Sequence, residues 1–423
     1  MSLSRFSRIV VFDSPIRENF YPLSLTRPTF DFLCGTRSLL ENIEHSLGSK
    51  VTDLTVPKYL EAICKEEHPA KAVNEAVTGK CLAVNALTCP TFPLASEISK
   101  MVESYHGDVI EIDEEGNPIF GMFENFRPEA LAPNPTKDRP QGIVFKTENG
   151  NSPIFLYPWE MVSKNSDAIR MQASGSETSS KKNYEVLGSK LHAASSAEIE
   201  KNVTIHTRKG DVVIDEDVVI ESFSRITGPA FVGKGSIIKS ARIREGTSIG
   251  TFCRVGGEVE ESIIFNYSNK NHDGFIGHSI LGSWVNLGAL TTNSDLKNTY
   301  GKIKVNLRGK VVSTDLDKVG CFVGDMSKSS IGTLIMSGRM IGVCSQIFGT
   351  VTEDVPSFTL HAKSMGSESR EIYIESAIKT QRRMMARRNV SMSENYTDMI
   401  KAVHNLTSKD RISARVKRGK FQL

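Results

Sequence analysis

The stretch Ile214-Asp-Glu-Asp-Val-Val-Ile220-Glu-Ser-Phe-Ser-Arg-Ile226-Thr-Gly-Pro-Ala-Phe-Val232-Gly-Lys-Gly-Ser-Ile-Ile238 decides the fold of half this chain, because an aliphatic residue returns at every sixth position. The step resumes in a new frame at Ile243, Ile249 and Val255, then at Leu281 and Leu287, and last at Ile335, Ile341 and Ile347. A period of six is neither the 3.6 of a helix nor the 2.0 of a strand alone. It suits a triangular solenoid with one inward aliphatic per flat side and turns on small residues such as Gly233, Gly235, Gly246, Gly250 and Gly256. An ordinary sandwich would alternate with period two and turn on hairpins. Residues 186–362 are therefore expected to form a left-handed parallel β-helix of hexapeptide repeats. Two segments drop the frame, Phe265 to Phe275 and Thr291 to Asp317, and excursions from a rigid solenoid are where function usually sits.

Outward from the repeats the text changes character. Residues 1–170 alternate strand-like runs (Arg8 to Phe12, Cys81 to Val84, Asp108 to Ile112) with helix-like stretches (Thr36 to Leu47, Lys58 to Lys65, Leu94 to Tyr105). That order predicts a parallel α/β sheet and a nucleotide-binding type of domain. Residues 171–185, with Gln172-Ala-Ser-Gly-Ser-Glu-Thr-Ser-Ser180, offer nothing to bury and read as a linker. Residues 363–423 read as a helical basic tail, with helices expected over Ser369 to Arg388 and Ser393 to Leu406. The tail from Ser364 onward holds 13 Lys and Arg against 6 Asp and Glu, so it carries +7 while the remainder of a chain of net charge +3 carries −4. Such a run is either a solvated face or a contact with a neighbouring subunit, an anionic ligand or nucleic acid. The net charge as a whole does not describe a nucleic-acid binder.

The 423 residues are 39% hydrophobic and 24% charged, with no apolar run near the roughly 20 residues of a membrane helix. The amino terminus lacks the apolar length and cleavage site of a signal peptide, which predicts a cytoplasmic protein with no membrane partner. Seven cysteines without CxxC pairs predict reduced thiols and no structural metal.

The stretch Lys270-Asn-His272-Asp-Gly-Phe275-Ile-Gly-His-Ser-Ile-Leu-Gly-Ser-Trp-Val-Asn286-Leu-Gly-Ala289 resembles the acetyltransferase site of the bifunctional enzymes that acetylate glucosamine-1-phosphate and then couple the product to a nucleotide. Asn19 to Gly35 and Tyr157-Pro-Trp-Glu160 resemble the divergent sugar nucleotidyltransferase domain of the archaeal and bacterial branch of that family. The resemblance covers about residues 8 to 355. It implies a homotrimer that uses acetyl-CoA as a substrate, an amino-sugar phosphate as acceptor and a nucleoside triphosphate in the first domain, with Mg2+ if that domain is active.

By this resemblance His272 is the general base. The chemistry requires one, because the sugar amine must lose a proton as it attacks the thioester, and imidazole titrates near working pH. Asn286 matches an asparagine that orients the amino sugar, and the amides around Gly288 and Ala289 are placed to face the oxyanion. Ala289 and Asn293 join the substrate set, as does Phe275, which stands where better-known members have a tyrosine. Lys270, Lys302 and Lys304 are candidates for phosphate or coenzyme A contacts. Glu260 stands where the family carries a phosphate-binding lysine, which leaves the acceptor sugar open.

In the first domain a nucleotidyltransferase needs a glycine-rich loop, a cation on the transferred phosphoryl group and a carboxylate for magnesium. Here the candidates are Arg17, Arg27 and the turn Gly35-Thr36-Arg37, with Asn85 where an aspartate is wanted. Trp159 invites either stacking on a base or plain packing. Two other readings stay open: a nucleotidyltransferase whose β-helix serves only assembly, and a non-enzymatic scaffold.

Overall fold

The computed structural model describes residues 5–127, 141–144, 152–173 and 184–419; most of the expected Gly/Ser linker lies outside them. Contacts divide the chain into two compact units, Met1–Phe20 with Arg27–Phe32 and Arg37–Tyr157, and Tyr21–Thr26 with Leu33–Thr36 and Pro158–Leu423. The division falls at Tyr157, ahead of the boundary at residue 170 that composition suggested.

The first unit is built on a seven-stranded sheet. Its strands are β1 (Arg8–Phe12), β2 (Asp53–Thr55), β3 (Ala72–Val73), β4 (Val77–Asn85), β5 (Val109–Ile112), β6 (Pro118–Phe126) and β7 (Gln141–Val144), in the order β3-β2-β1-β4-β6-β5-β7. The sheet is mixed where an all-parallel one was expected, because β6 runs antiparallel to both β4 and β5. The cause is local. The Asp113 carboxylate accepts the amides of Glu115 and Asn117 at 3.0 and 2.7 Å, and this turn folds β6 straight back on β5. Helix α1 (Leu39–Leu47) opens with a reciprocal cap between Ser38 and Glu41 and buries Leu39, Leu40, Ile43 and Leu47. Helices α2 (Glu61–Glu67) and α3 (Leu94–Ser104) complete the alternation. Strand order reverses at β1, with β2 on one side and β4 on the other, and Asp13 and Asn85 stand at the carboxyl ends of β1 and β4.

The second unit is the left-handed parallel β-helix. One flat side stacks eight parallel strands, among them Leu191–Ala193, Val212–Ile214, Ala230–Val232 and Thr247–Ile249. Val212 pairs with Ala230, a step of eighteen residues or three sides of six. Every aliphatic of the sixfold series, from Ile214 to Ile347, is buried in one continuous core. Each contributes about 1.5–3 kcal/mol by leaving water. The jump of frame between Ile238 and Ile243 is a tightened corner: Ser240 takes φ 42°, and the pairing with Arg254–Glu260 slips between Lys239 and Arg242.

The first expected excursion is no excursion. Phe265 to Phe275 stays on the solenoid through the strands Ile263–Ile264, Asn269–Lys270 and Phe275–Gly277. The frame fails to the eye because Lys270 pairs with Val255 and takes the inward place of an aliphatic. The second excursion is real. The chain leaves after Thr292–Asn293, forms an antiparallel hairpin of Lys304–Leu307 and Lys310–Ser313, and rejoins at Cys321–Val323.

Helix α4 (Pro158–Gln172) packs on the solenoid, with Trp159 buried and its ring 6.4 Å from that of Phe322. At the far end Arg370–Glu371 pairs antiparallel with Thr359–His361 and covers the last open strand edge. Helices α5 (Ile374–Ala386), α6 (Glu394–Leu406) and α7 (Ser408–Ser413) follow. Glu371 collects part of the tail's charge, with His404 Nε2 and Arg411 Nε each 3.0 Å and Arg418 Nε 3.1 Å from its oxygens. All seven cysteines are buried thiols. No described helix is long and apolar enough to cross a membrane.

Candidate active site

The second unit displays His272 at a corner between Asn269–Lys270 and Phe275–Gly277. The imidazole is exposed, and its Nε2 is 3.5 Å from Asn271 Nδ2. What holds the corner is Lys270. Its side chain is buried, and Nζ donates to Gly256 O at 2.7 Å and to the carbonyl of His272 at 2.8 Å. Burial pushes its pKa down to about 8. Lys270 is thus an internal strut under the histidine and not the phosphate contact expected from its charge.

The next coil lies against this corner. Asn286 Oδ1 accepts from Asn269 Nδ2 at 2.6 Å, and the Leu290 amide donates to Asp273 O at 2.8 Å. The structure therefore brings His272, Asn286 and Ala289 to one place. The Gly288 amide is spent on Ser329 Oγ at 2.9 Å, which removes it from any oxyanion hole, whereas the Ala289 amide has no acceptor among the described residues. Asn293 is spent too: its carbonyl oxygen accepts the Gly277 amide at 2.8 Å and its amide donates to Gly277 O at 3.0 Å. Its role is to tie two coils together. Lys302 pairs with Asp317 at 3.1 Å, and Lys302 and Lys304 lie on the hairpin excursion with no described contact to the His272 corner.

Sequence reading overlooked two features. Asn271 Oδ1 is buried without a hydrogen-bond partner beside the histidine. The flat side that starts at this corner also carries an outward ladder, Phe275, Glu258, Arg242 and Arg225, each paired in register with the next. Such a ladder is invisible along the chain, but it could have been found by writing the sixfold register coil over coil and reading the residue before each inward Ile or Val.

In the first unit Arg17 is buried and pairs with Asp13, Nε to Oδ2 at 2.8 Å. Asp13 also accepts from Thr29 Oγ1 at 2.6 Å, and burial pushes its carboxyl up. Asn85 is fully buried, donating to Pro118 O at 2.7 Å and accepting from the Leu87 amide at 2.9 Å. With both groups committed, they do not form a magnesium site, and among the described residues no cluster of three His, Cys, Asp or Glu could hold a metal. Arg27 stands within electrostatic reach of Glu67, and Arg37 lines a shallow cleft with Glu41, His45 and Lys50. The turn Gly35-Thr36 belongs to the second unit. The Gly35 amide donates to Asn165 Oδ1 at 2.7 Å and the Thr36 amide to Gln172 Oε1 at 2.5 Å, so neither is left for a phosphate.

Parts of the chain are similar to known proteins. Residues 9–180 match the family model described as sugar nucleotidyl transferase. The bifunctional sugar-1-phosphate nucleotidylyltransferase/acetyltransferase of Sulfurisphaera tokodaii is 33% identical over 162 residues, 37% of this chain and 40% of that protein. The bifunctional protein GlmU of Methanococcus maripaludis is 30% identical over 240 residues, 55% of this chain and 53% of that protein. The chain thus spans about half the length of the curated relatives it matches, or less. Of solved structures, the UDP-N-acetylglucosamine acyltransferase of Francisella novicida aligns at 15% identity and a TM-score of 0.29, over 53% of this chain and 79% of that one. Residues 9–180 are thus similar to the sugar nucleotidyl transferase family, and parts of the chain are similar to bifunctional sugar-1-phosphate nucleotidyltransferase/acetyltransferases.

Proposed function

We propose that the second unit is an acetyl-CoA-dependent N-acetyltransferase acting on an amino sugar that carries an anomeric phosphate, coupled to nucleotidyl transfer by the first unit. The observation that carries this reading is the exposed His272, held on a strut of Lys270 beside Asn286 and the open amide of Ala289. The sugar amine attacks the thioester carbonyl, and its N–H proton passes to the free imidazole nitrogen. The new N–C bond forms as the C–S bond breaks, and the thiolate leaves and takes up a proton. The Ala289 amide supports the intermediate oxyanion. A general base of this kind is worth about 10²–10⁴ in rate.

The same reading makes the working form a homotrimer. Leu290, Ile331, Leu334 and Met336 are 61%, 77%, 46% and 42% exposed on successive coils next to the His272 corner, an apolar face suited to a second copy. Acetyl-CoA and nucleoside triphosphate are the co-substrates, and a cytoplasmic location accords with both.

The test is release of free thiol from acetyl-CoA with glucosamine-1-phosphate and galactosamine-1-phosphate, before and after His272→Ala. Turnover that falls by about 10²-fold or more in the variant is expected. Unchanged turnover would remove His272 as the base.

A further inference from the structure

The tail's charge is not all spent on Glu371. Helix α5 runs along the solenoid parallel to its axis, anchored at both ends: the Ile372 amide donates to Phe358 O at 2.7 Å, and Arg388 Nη1 donates to Phe252 O at 3.4 Å. From Ile372 to Arg388 a helix rises about 24 Å. The register Leu360, Gln346, Lys328, Asn286, Asn269, Arg254 puts five coil steps between those anchors, again about 24 Å at 4.8 Å each. The helix thus brings its last turn, with Arg383, Arg387 and Arg388, to the corner from which Arg254 projects.

No carboxylate answers these arginines among the described residues. The side chains of Arg254, Arg383 and Arg387 have no ion pair or hydrogen bond there, and Arg388 bonds only a carbonyl. Arg383 and Arg387 stand one helical turn apart, a spacing at which like charges repel. Arg388 is held below the usual arginine range by burial and by the charges of Arg254 and Arg387. The dipole of a helix favours cations in its last turn, but that effect does not extend to Arg254, which comes from the solenoid. Every cation of the cluster is an arginine, whose planar fork grips an oxyanion through two parallel hydrogen bonds. The ring at the same corner offers no platform to a base. Phe252 stacks on Tyr267 at 5.1 Å on one face, and Gly235 of the neighbouring coil underlies the other, where a Cβ would fall 2.6 Å from the ring.

We infer that Arg254, Arg383, Arg387 and Arg388 form a binding site for a multiply charged phosphate oxyanion, recognised by its charge and not by an attached base. The inference stands without the acetyl-transfer reading. Diphosphate is the probe of choice, because the nucleotidyl transfer proposed for the first unit releases it from a nucleoside triphosphate, and the site itself does not depend on that source.

The experiment titrates the full chain calorimetrically with inorganic diphosphate and with uridine diphosphate at one fixed ionic strength, in wild type, Arg254→Ala, Arg387→Ala and Arg387→Lys. Diphosphate binding is expected to weaken about tenfold in each alanine variant, the worth of one charge-assisted contact, and to return in part in Arg387→Lys. Thermal melts separate binding from folding. Diphosphate should raise the melting midpoint of wild type and not that of Arg387→Ala. Without ligand the variant should melt no lower than wild type, since it loses a repulsion. Absence of saturable diphosphate binding in wild type, or binding that both alanine variants leave unmoved, overturns the site. A ligand-free Arg387→Ala that melts well below wild type makes the arginine structural and overturns it as well. Uridine diphosphate should bind no tighter than diphosphate, and a nucleotide favoured about tenfold through Arg387 ends the claim of recognition by charge alone. A single-stranded oligonucleotide that binds through Arg387 where diphosphate does not would reassign the cluster to nucleic acid, against the inference.

Discussion

Lys270 shows how far one side chain can be misread along a sequence and how much it reveals in three dimensions. Beside His272 it looked like a phosphate ligand, yet it stands in the aliphatic column, in register with Val255, and its ammonium bonds two carbonyls. A buried lysine titrating at about 8 resists charging in the folded chain, whereas the unfolded chain holds its proton to about 10.4. Between those pH values the unfolded state binds more protons, so this residue's contribution makes folding more favourable as pH rises, by about 3 kcal/mol across the window. Denaturant midpoints of wild type and Lys270→Met at pH 7 and pH 10 should therefore diverge, wild type gaining about 2–3 kcal/mol relative to the variant. Parallel pH profiles would mean that the ammonium is not desolvated. The same substitution frees the His272 carbonyl, so acetyl transfer by Lys270→Met should drop although the base is intact. The spacing of Lys270 and His272 was legible in the sequence. The direction of the lysine was not, because a lysine in an inward column looks like a break in the repeat.

At the scale of elements, the sixfold period located the solenoid because a single physical demand, one inward aliphatic per side, repeats from Ile214 to Ile347. Helix α4 obeys no such repeat. It is held to the solenoid by Asn165, fully buried, which accepts from the Gly35 amide at 2.7 Å and donates to Gly246 O at 2.9 Å and Ser248 Oγ at 2.8 Å. These partners are far apart in the chain, so no local pattern announces them, and the turn Gly35-Thr36 passed for a phosphate loop. Gly35 has φ 75°, and a Cβ there would sit 2.2 Å from Gln172 Oε1, so the glycine serves this docking. Asn165→Ala strands a buried amide and a buried carbonyl, and should cost about 2–4 kcal/mol of unfolding free energy in a urea titration. A loss below about 0.5 kcal/mol, the size of an ordinary surface change, would show that α4 is held by its apolar face alone.

At the scale of the molecule, the two halves of the sequence differ in what they disclose. The β-helix and the His272 corner stand out because their residues are neighbours in the chain or in one register. The nucleotide site expected in the first unit does not, because Asp13, Arg17 and Asn85 are spent on contacts that only the folded chain creates. Assembly lies beyond both. Ile331 sits one coil from Ala289, since the Gly332 amide donates to Ala289 O at 2.7 Å, and Leu334 pairs with Thr292, so the apolar face adjoins the proposed acetyl-transfer site directly. A face of this kind left in water is costly, and covering it with a second copy would place that copy's residues over His272. Light scattering on the purified protein should give about three times the 46.6 kDa chain mass. The pair Ile331→Glu with Leu334→Glu, both outward and therefore harmless to the core, should lower that mass to one chain and abolish acetyl transfer together. A monomer that acetylates at the wild-type rate would show that each chain carries a complete site and that the apolar face serves some other contact.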